Sequence, residues 1–154
     1  MDSHIEIRTF HAGDLCAVSD LEQDVFGAHA YPRYFFRQAY DTFSDLFRVA
    51  VNEQGEPVGY IIGALEAGVS EGWIVSMAVM KEYRHRGIAL MLMESVLHLL
   101  SERGAHNVLL TVNPDNDEAV ALYQKTGFHY IQRDDNYFGP GAARIVMQRD
   151  LDAL

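Results

Sequence analysis

Apolar and polar side chains alternate through "HIEIRTF" (4–10), a period of two that predicts a first strand. The period then lengthens. Leu15, Val18, Leu21, Val25 and Phe26 recur every three or four residues and predict an amphipathic helix, with Asp14 as its candidate N-cap. "GAHAYP" (27–32) interrupts this pattern, and "RYFFRQAYDTF" (33–43) predicts a short aromatic helix. Two strands follow, "LFRVAVN" (46–52) and "PVGYIIGALEA" (57–67), joined by the turn "EQGE" with Pro57 at a strand edge. "GVSEG" predicts a hairpin connection into "WIVSMAVM" (73–80), which is apolar almost throughout, as in a strand covered on both faces. From Gly87 to Arg103, Ile88, Leu92, Val96 and Leu100 form one stripe with Ala89, Met93 and Leu97 beside it. This third helix has a candidate C-cap at Gly104. "NVLLTVN" (107–113) predicts a strand, and "PDNDEAVALYQKTGF" (114–128) a turn, a short helix and a stop at Gly127. "FHYIQRDDNYF" (128–138) and "AARIVMQRDL" (142–151) predict a closing hairpin across "GPG".

The order β-α-α-β-β-β-α-β-α-β-β mixes strands and helices without a linker or repeat. It predicts an α/β protein, a mixed sheet with helices on both faces, in one domain spanning 1–154. Composition adds little: 49% hydrophobic and 22% charged residues are ordinary for a globular chain. Cys16 is the only cysteine, so no intramolecular disulfide forms, and no Cys/His cluster predicts a metal. This fits a reducing, cytoplasmic setting. Cys16 is expected to be a buried small hydrophobe on the first helix. "MDSHIEIRTF" lacks the pattern of a secretory leader, and no apolar run approaches the roughly 20 residues of a membrane span. The net charge of −10 disfavours nucleic acid as a partner and suits solubility or a cationic amine equally well.

Against that acidic background, "MAVMKEYRHRGIA" stands out. It runs from the apolar strand through a short loop into the third helix, with Arg84, His85 and Arg86 crowded against Gly87. A helix N-terminus presents N–H groups outside the helical ladder and a partial positive charge, and glycine admits close backbone approach. A phosphate or pyrophosphate matches such a turn. Neither GxxxxGK[ST] nor GxGxxG is present, which disfavours a nucleotide triphosphatase or a nicotinamide enzyme.

"YRHRGIA" resembles the R/Q-x-x-G-x-G/A signature of the GNAT acetyltransferase superfamily, with Arg84, Gly87 and Ala89 on the signature positions. "NPDNDEAVALYQKTGF" is similar to that family's N-x-x-A-x-x-L-Y-x-x-x-G-F element at Asn116, Ala119, Leu122, Tyr123, Gly127 and Phe128. The resemblance implies a mixed, mostly antiparallel sheet of about seven strands flanked by about four helices and split between the fourth and fifth strands. It implies acetyl-CoA as co-substrate and no metal. Backbone at Met77, Ala78 and Val79 would pair with the pantetheine arm. Amides from His85 through Arg86, Gly87, Ile88 and Ala89 to Leu90, beside Arg84, would hold the pyrophosphate. Asn116 and Tyr123, two helical turns apart, would flank the arm, with Asp115 as the helix N-cap.

Acetyl transfer to an amine needs loss of an amine proton, in-line attack, donors for the oxyanion and a partner for the leaving thiolate. The resemblance assigns the oxyanion to a backbone N–H near Val79 and the thiolate to Tyr123. With a free tyrosine pKa of about 10 and a thiol of about 8.5, full proton transfer is uphill by roughly 2 kcal/mol. "LEQDVF…YP", "LYQKTGF" and "DDNYF" narrow the resemblance to N-terminal acetyltransferases, including those of a ribosomal-protein alanine. There a Glu or His before the second motif relays the proton; Thr111 occupies that position here and is no base near neutral pH. Glu66, Glu71, His29, His129 or water are the substitutes. Phe26, Tyr31, Pro32, Thr111, Tyr137 and Phe138 are candidate acceptor contacts. The reaction expected is direct attack by a protein or peptide α-amine, catalysed by a monomer or homodimer. A small amine acceptor, or a non-catalytic acyl-CoA sensor, are the alternatives.

Overall fold

The period-two and period-3.6 segments become strands and helices in the computed structural model, which describes residues 4–152. In chain order they are β1 (Glu6–Thr9), α1 (Leu15–Phe26), α2 (Arg33–Phe43), β2 (Phe47–Val51), β3 (Pro57–Leu65), β4 (Glu71–Val79), α3 (Ile88–Glu102), β5 (Asn107–Val112), α4 (Asp117–Lys125), β6 (His129–Asp134) and β7 (Arg144–Asp150). The strands form one seven-stranded sheet in the order β1-β2-β3-β4-β5-β7-β6. β1 with β2, β2 with β3, β5 with β7 and β6 with β7 are antiparallel. β4 and β5 are parallel, with Glu71–Trp73 paired to Asn107–Leu109. The sheet thus has the expected mixed, mostly antiparallel form of seven strands.

The chain divides into two compact units. The first comprises residues up to Ala64 together with Ser76–Leu99. Its core is aromatic: Phe10 stacks on Phe47 with centroids 4.0 Å apart, and Phe36 meets Tyr60 edge-on at 5.3 Å. Val18 and Leu21 of α1 and Leu92, Met93 and Val96 of α3 are fully buried, as their stripes require. The second unit comprises Leu65–Val75 and the residues from Leu100 onward. In it β5 alternates strictly, burying Val108, Leu110 and Val112, with Leu110 paired to the buried Met147 of β7.

Three expectations are corrected. Asp14 holds the N-cap position of α1 but its side chain makes no capping hydrogen bond there. A single 3-10 turn, Ala12–Asp14, precedes the helix, and Asp14 itself has helical backbone angles (φ −85°, ψ −7°), so its carboxylate turns back. It accepts the His11 N–H at 2.8 Å and both terminal nitrogens of Arg8 at 2.8 and 2.9 Å. Cys16 is exposed rather than buried. It lies two positions, or about 200° of helical rotation, from the buried Val18. The closing strands are shorter than predicted: β6 ends at Asp134 and β7 begins at Arg144, so Tyr137 and Phe138 sit in the connection.

Candidate active site

In the first unit, β4 ends at Val79 with Met77, Ala78 and Val79 buried. A 3-10 turn, Lys81–Tyr83, leads to residues 84–87 and α3. The loop is pinned to the strand it leaves, because Arg84 Nε donates to the Val79 carbonyl at 3.3 Å. Arg86 lies over the Tyr83 ring at 4.9 Å and donates to the Glu82 carbonyl at 3.0 Å. These two guanidiniums are therefore held in place. His85 has φ +63°, the only positive φ of a non-glycine among the described residues, and Gly87 has φ +80°. Backbone that alternates into this left-handed region turns successive N–H groups toward one side, a geometry that receives anions. The first helical bond of α3 runs from the Met91 N–H to the Gly87 carbonyl at 3.0 Å, so the amides of Ile88, Ala89 and Leu90 precede the ladder. A Cβ built on Gly87 would meet nothing within 4 Å, so the space beside the turn is open and the glycine is required by φ.

In the second unit, Asn116 is the N-cap of α4, accepting the Ala119 N–H at 3.1 Å. The expected cap, Asp115, is one residue too early. Capping uses the Asn116 carbonyl oxygen and leaves its NH2 as a donor. Tyr123 lies in the last turn of the same helix, and its carbonyl accepts from the Thr126 N–H (3.1 Å), the Thr126 hydroxyl (2.9 Å) and the Phe128 N–H (3.0 Å). Gly127 allows this termination. Its φ is +95°, and a Cβ there would press on Arg149 Nε at 3.2 Å. The "TGF" of the motif is thus the stop that fixes the tyrosine, whose ring meets Phe128 edge-on at 6.2 Å. Burial pushes the Tyr123 phenol up to about 12, against the opposing pull of the Arg144 charge.

The acceptor candidates fall into two groups. In the first unit Phe26 ends α1, and Tyr31 and Pro32 lie on the α1–α2 connection, where Tyr31 stacks on Phe35 at 4.2 Å. Thr111 and Tyr137 lie in the second unit, joined through Arg144 and Phe138. Arg144 Nε donates to the Thr111 hydroxyl at 3.1 Å and Nη2 to the Thr111 carbonyl at 2.9 Å. Its guanidinium lies 5.1 Å from the centre of the Phe138 ring, which meets Tyr137 edge-on at 5.1 Å. A cation therefore stands against the position where a base was sought. Of the substitute bases, Glu66, His29 and His129 are exposed and Glu71 is half-buried. Among the described residues, no group of three or more His, Cys, Asp or Glu is placed to hold a metal ion.

Residues 15–128 match the acetyltransferase (GNAT) family. The chain belongs to that family. It is an acyltransferase whose co-substrate is acetyl-CoA. Among GNAT relatives, the N-alpha-acetyltransferase of Saccharolobus solfataricus is 33% identical over 132 residues, 79% of this chain and 78% of that protein. The crystal structure of Ard1 from Thermoplasma volcanium superposes with a TM-score of 0.87 at 28% identity, covering 95% of this chain and 97% of that one. The ribosomal-protein-S18-alanine N-acetyltransferase from Escherichia coli gives a TM-score of 0.80 at 22% identity, covering 96% and 94%, a likeness of fold.

Two groups in this GNAT chain escaped the sequence reading. Arg144 was unmarked because its partner is 33 residues away. Only the β5–β7 register, Thr111 opposite Val146, puts Arg144 two residues along on the same face. Glu22 carried a local signal that was passed over, since it lies four residues from both Val18 and Phe26, within the apolar stripe of α1.

Proposed function

We propose that this enzyme acetylates the α-amine at the N-terminus of a protein or peptide. The supporting observation is its 33% identity, over 79% of its length, to an enzyme named N-alpha-acetyltransferase. In this reading the amides of His85 to Leu90, with Arg84 and Arg86, hold the pyrophosphate of acetyl-CoA. Met77, Ala78 and Val79 pair with the pantetheine arm, which Asn116 also contacts through its NH2. The attacking amine forms the new C–N bond while the C–S bond breaks. A backbone N–H near Val79 donates to the oxyanion, and Tyr123 donates to the departing sulfur. Phe26, Tyr31, Pro32, Thr111 and Tyr137 receive the acceptor. Thr111 supplies no base, and water takes the amine proton. A peptide α-amine has a pKa of about 7.7–8.0, so an appreciable fraction arrives neutral at pH 7. The lone cysteine fits a cytoplasmic site of action.

Thiol release from acetyl-CoA, measured across N-terminal peptides and free small amines, tests the reading. Turnover is expected with peptides. Turnover with small amines alone would replace the peptide assignment, and binding of acetyl-CoA without turnover on any amine would replace catalysis with sensing.

A further inference from the structure

The least expected polar group in the first unit is Glu22, on the inward face of α1 and 1% exposed. A carboxylate is buried at a cost unless it is well bonded. Here both oxygens have donors. Oε1 accepts from the Tyr60 hydroxyl at 2.6 Å, and Oε2 accepts the Tyr31 N–H at 2.9 Å. Tyr60 is on β3, fully buried, and its oxygen lies 2.6 Å from the Ser76 hydroxyl on β4. A phenol has one proton, and that proton goes to Glu22, so Ser76 is the donor to Tyr60. The result is one directed chain: Ser76 hydroxyl to Tyr60 oxygen, Tyr60 hydroxyl to Glu22, and Glu22 again from the Tyr31 amide.

The two ends of this chain are informative. Tyr31 and Pro32 belong to the proposed acceptor wall, and Ser76 immediately precedes Met77, Ala78 and Val79. Packing alone would be served better by an apolar residue at position 22, since α1 already buries Val18 and Leu21 on that face. Helix termination does not need the carboxylate either, because the Gly27 N–H is satisfied by the Gln23 carbonyl. We propose that Glu22 is a positioning residue for the acceptor amine, holding the Tyr31–Pro32 segment in fixed register with the end of β4 through Tyr60 and Ser76. This rests on the assignment of the α1–α2 connection to the acceptor. The chain acts on where the amine sits, not on the donor turn at residues 84–90, so its loss separates the two substrates kinetically.

The full chain is assayed with acetyl-CoA and whichever acceptor amine the wild type acetylates best. Tyr60→Phe keeps the ring and removes the sheet-side bond. Glu22→Gln keeps the shape but sets an NH2 group against either the Tyr31 amide or the Tyr60 hydroxyl. Each is expected to raise the acceptor KM roughly tenfold, the size of one buried hydrogen bond, with the acetyl-CoA KM within about twofold of wild type. The double variant is expected to be no worse than the larger single, because a tether in series breaks once. Amide hydrogen exchange reads the same tether without turnover, with residues 27–32 exchanging faster in both variants. A lower melting temperature with unchanged acceptor KM and unchanged exchange would show Glu22 to be structural and overturn the proposal. Additive effects in the double variant, or equal rises in both KM values, would overturn it as well. A wild type that acetylates small amines alone defeats the peptide reading and leaves this comparison intact.

Discussion

Replacing Tyr123 by Phe removes one hydroxyl from the end of α4 and keeps the ring against Phe128. The structure changes what that hydroxyl can do. With the phenol at about 12 and a departing thiol near 8.5, complete proton transfer is uphill by about 5 kcal/mol, against roughly 2 kcal/mol for a free tyrosine. In the proposed mechanism Tyr123 therefore acts as a hydrogen-bond donor to the developing thiolate, and water completes protonation. A hydrogen bond to a charged group is worth about 1.5–3 kcal/mol, or about 10- to 150-fold in rate when it forms only in the transition state. Tyr123→Phe is expected to lower kcat by that factor, measured as thiol release at saturating substrates, with the acetyl-CoA KM unchanged. The phenol stays protonated through the assay range, so it imposes no alkaline fall on wild-type kcat between about pH 7 and pH 10. A kcat for Tyr123→Phe within about threefold of wild type would refute the role. A rise in acetyl-CoA KM at constant kcat would reduce Tyr123 to a binding contact.

Two further substitutions probe the cap of α4 and the Arg8–Asp14 pair. Asn116→Ala loses the α4 cap and should cost about 1 kcal/mol, a fall of roughly 2–4 °C in melting temperature. Asn116→Asp keeps the cap and should hold the melting temperature, yet both variants lose the NH2 donor and should raise the acetyl-CoA KM; an unchanged KM in both confines Asn116 to capping. Burial alone would raise the Asp14 carboxyl, but Arg8, the His11 amide and their charges outweigh it and hold it below its ordinary value of 3.8. A depressed carboxylate stabilises the fold above its unfolded pKa and loses that contribution as pH falls through the folded value. Asp14→Asn should thus be less stable than wild type at pH 7 in urea unfolding, by about 2 kcal/mol, and the gap should close as pH falls through the depressed folded value; a gap independent of pH would show that charge is not its source.

Element type and order were legible because each strand and helix carries its own period. The helix ends were less so, since a cap is decided by backbone angles. Asp14 and Asp115 both have the right chemistry to cap, yet one sits inside a 3-10 turn and the other one residue before the cap. Cys16 was misplaced for a related reason: as a small apolar residue it was assigned to the core, though its phase on α1 points away from Val18.

The donor side and the acceptor side differ in how far their information spreads along the chain. An anion held by backbone amides needs a local sequence, because the amides, the left-handed residues and the glycine are consecutive. Residues 84–90 are therefore readable as a string. Tyr123 is readable for the same reason, since the Thr126, Gly127 and Phe128 that fix it follow directly. Acceptor contacts are side chains delivered by remote segments, and their environment is set by pairing. Thr111 looked like a missing base because only its own position was visible. The β5–β7 register brings Arg144 against it, and with Thr111 at the proposed acceptor site a guanidinium there disfavours an ammonium and favours an amine that arrives neutral. The absence of a carboxylate at position 111 and the presence of a cation beside it are then one electrostatic arrangement. In the proposed mechanism it selects the acceptor's protonation state in place of changing it.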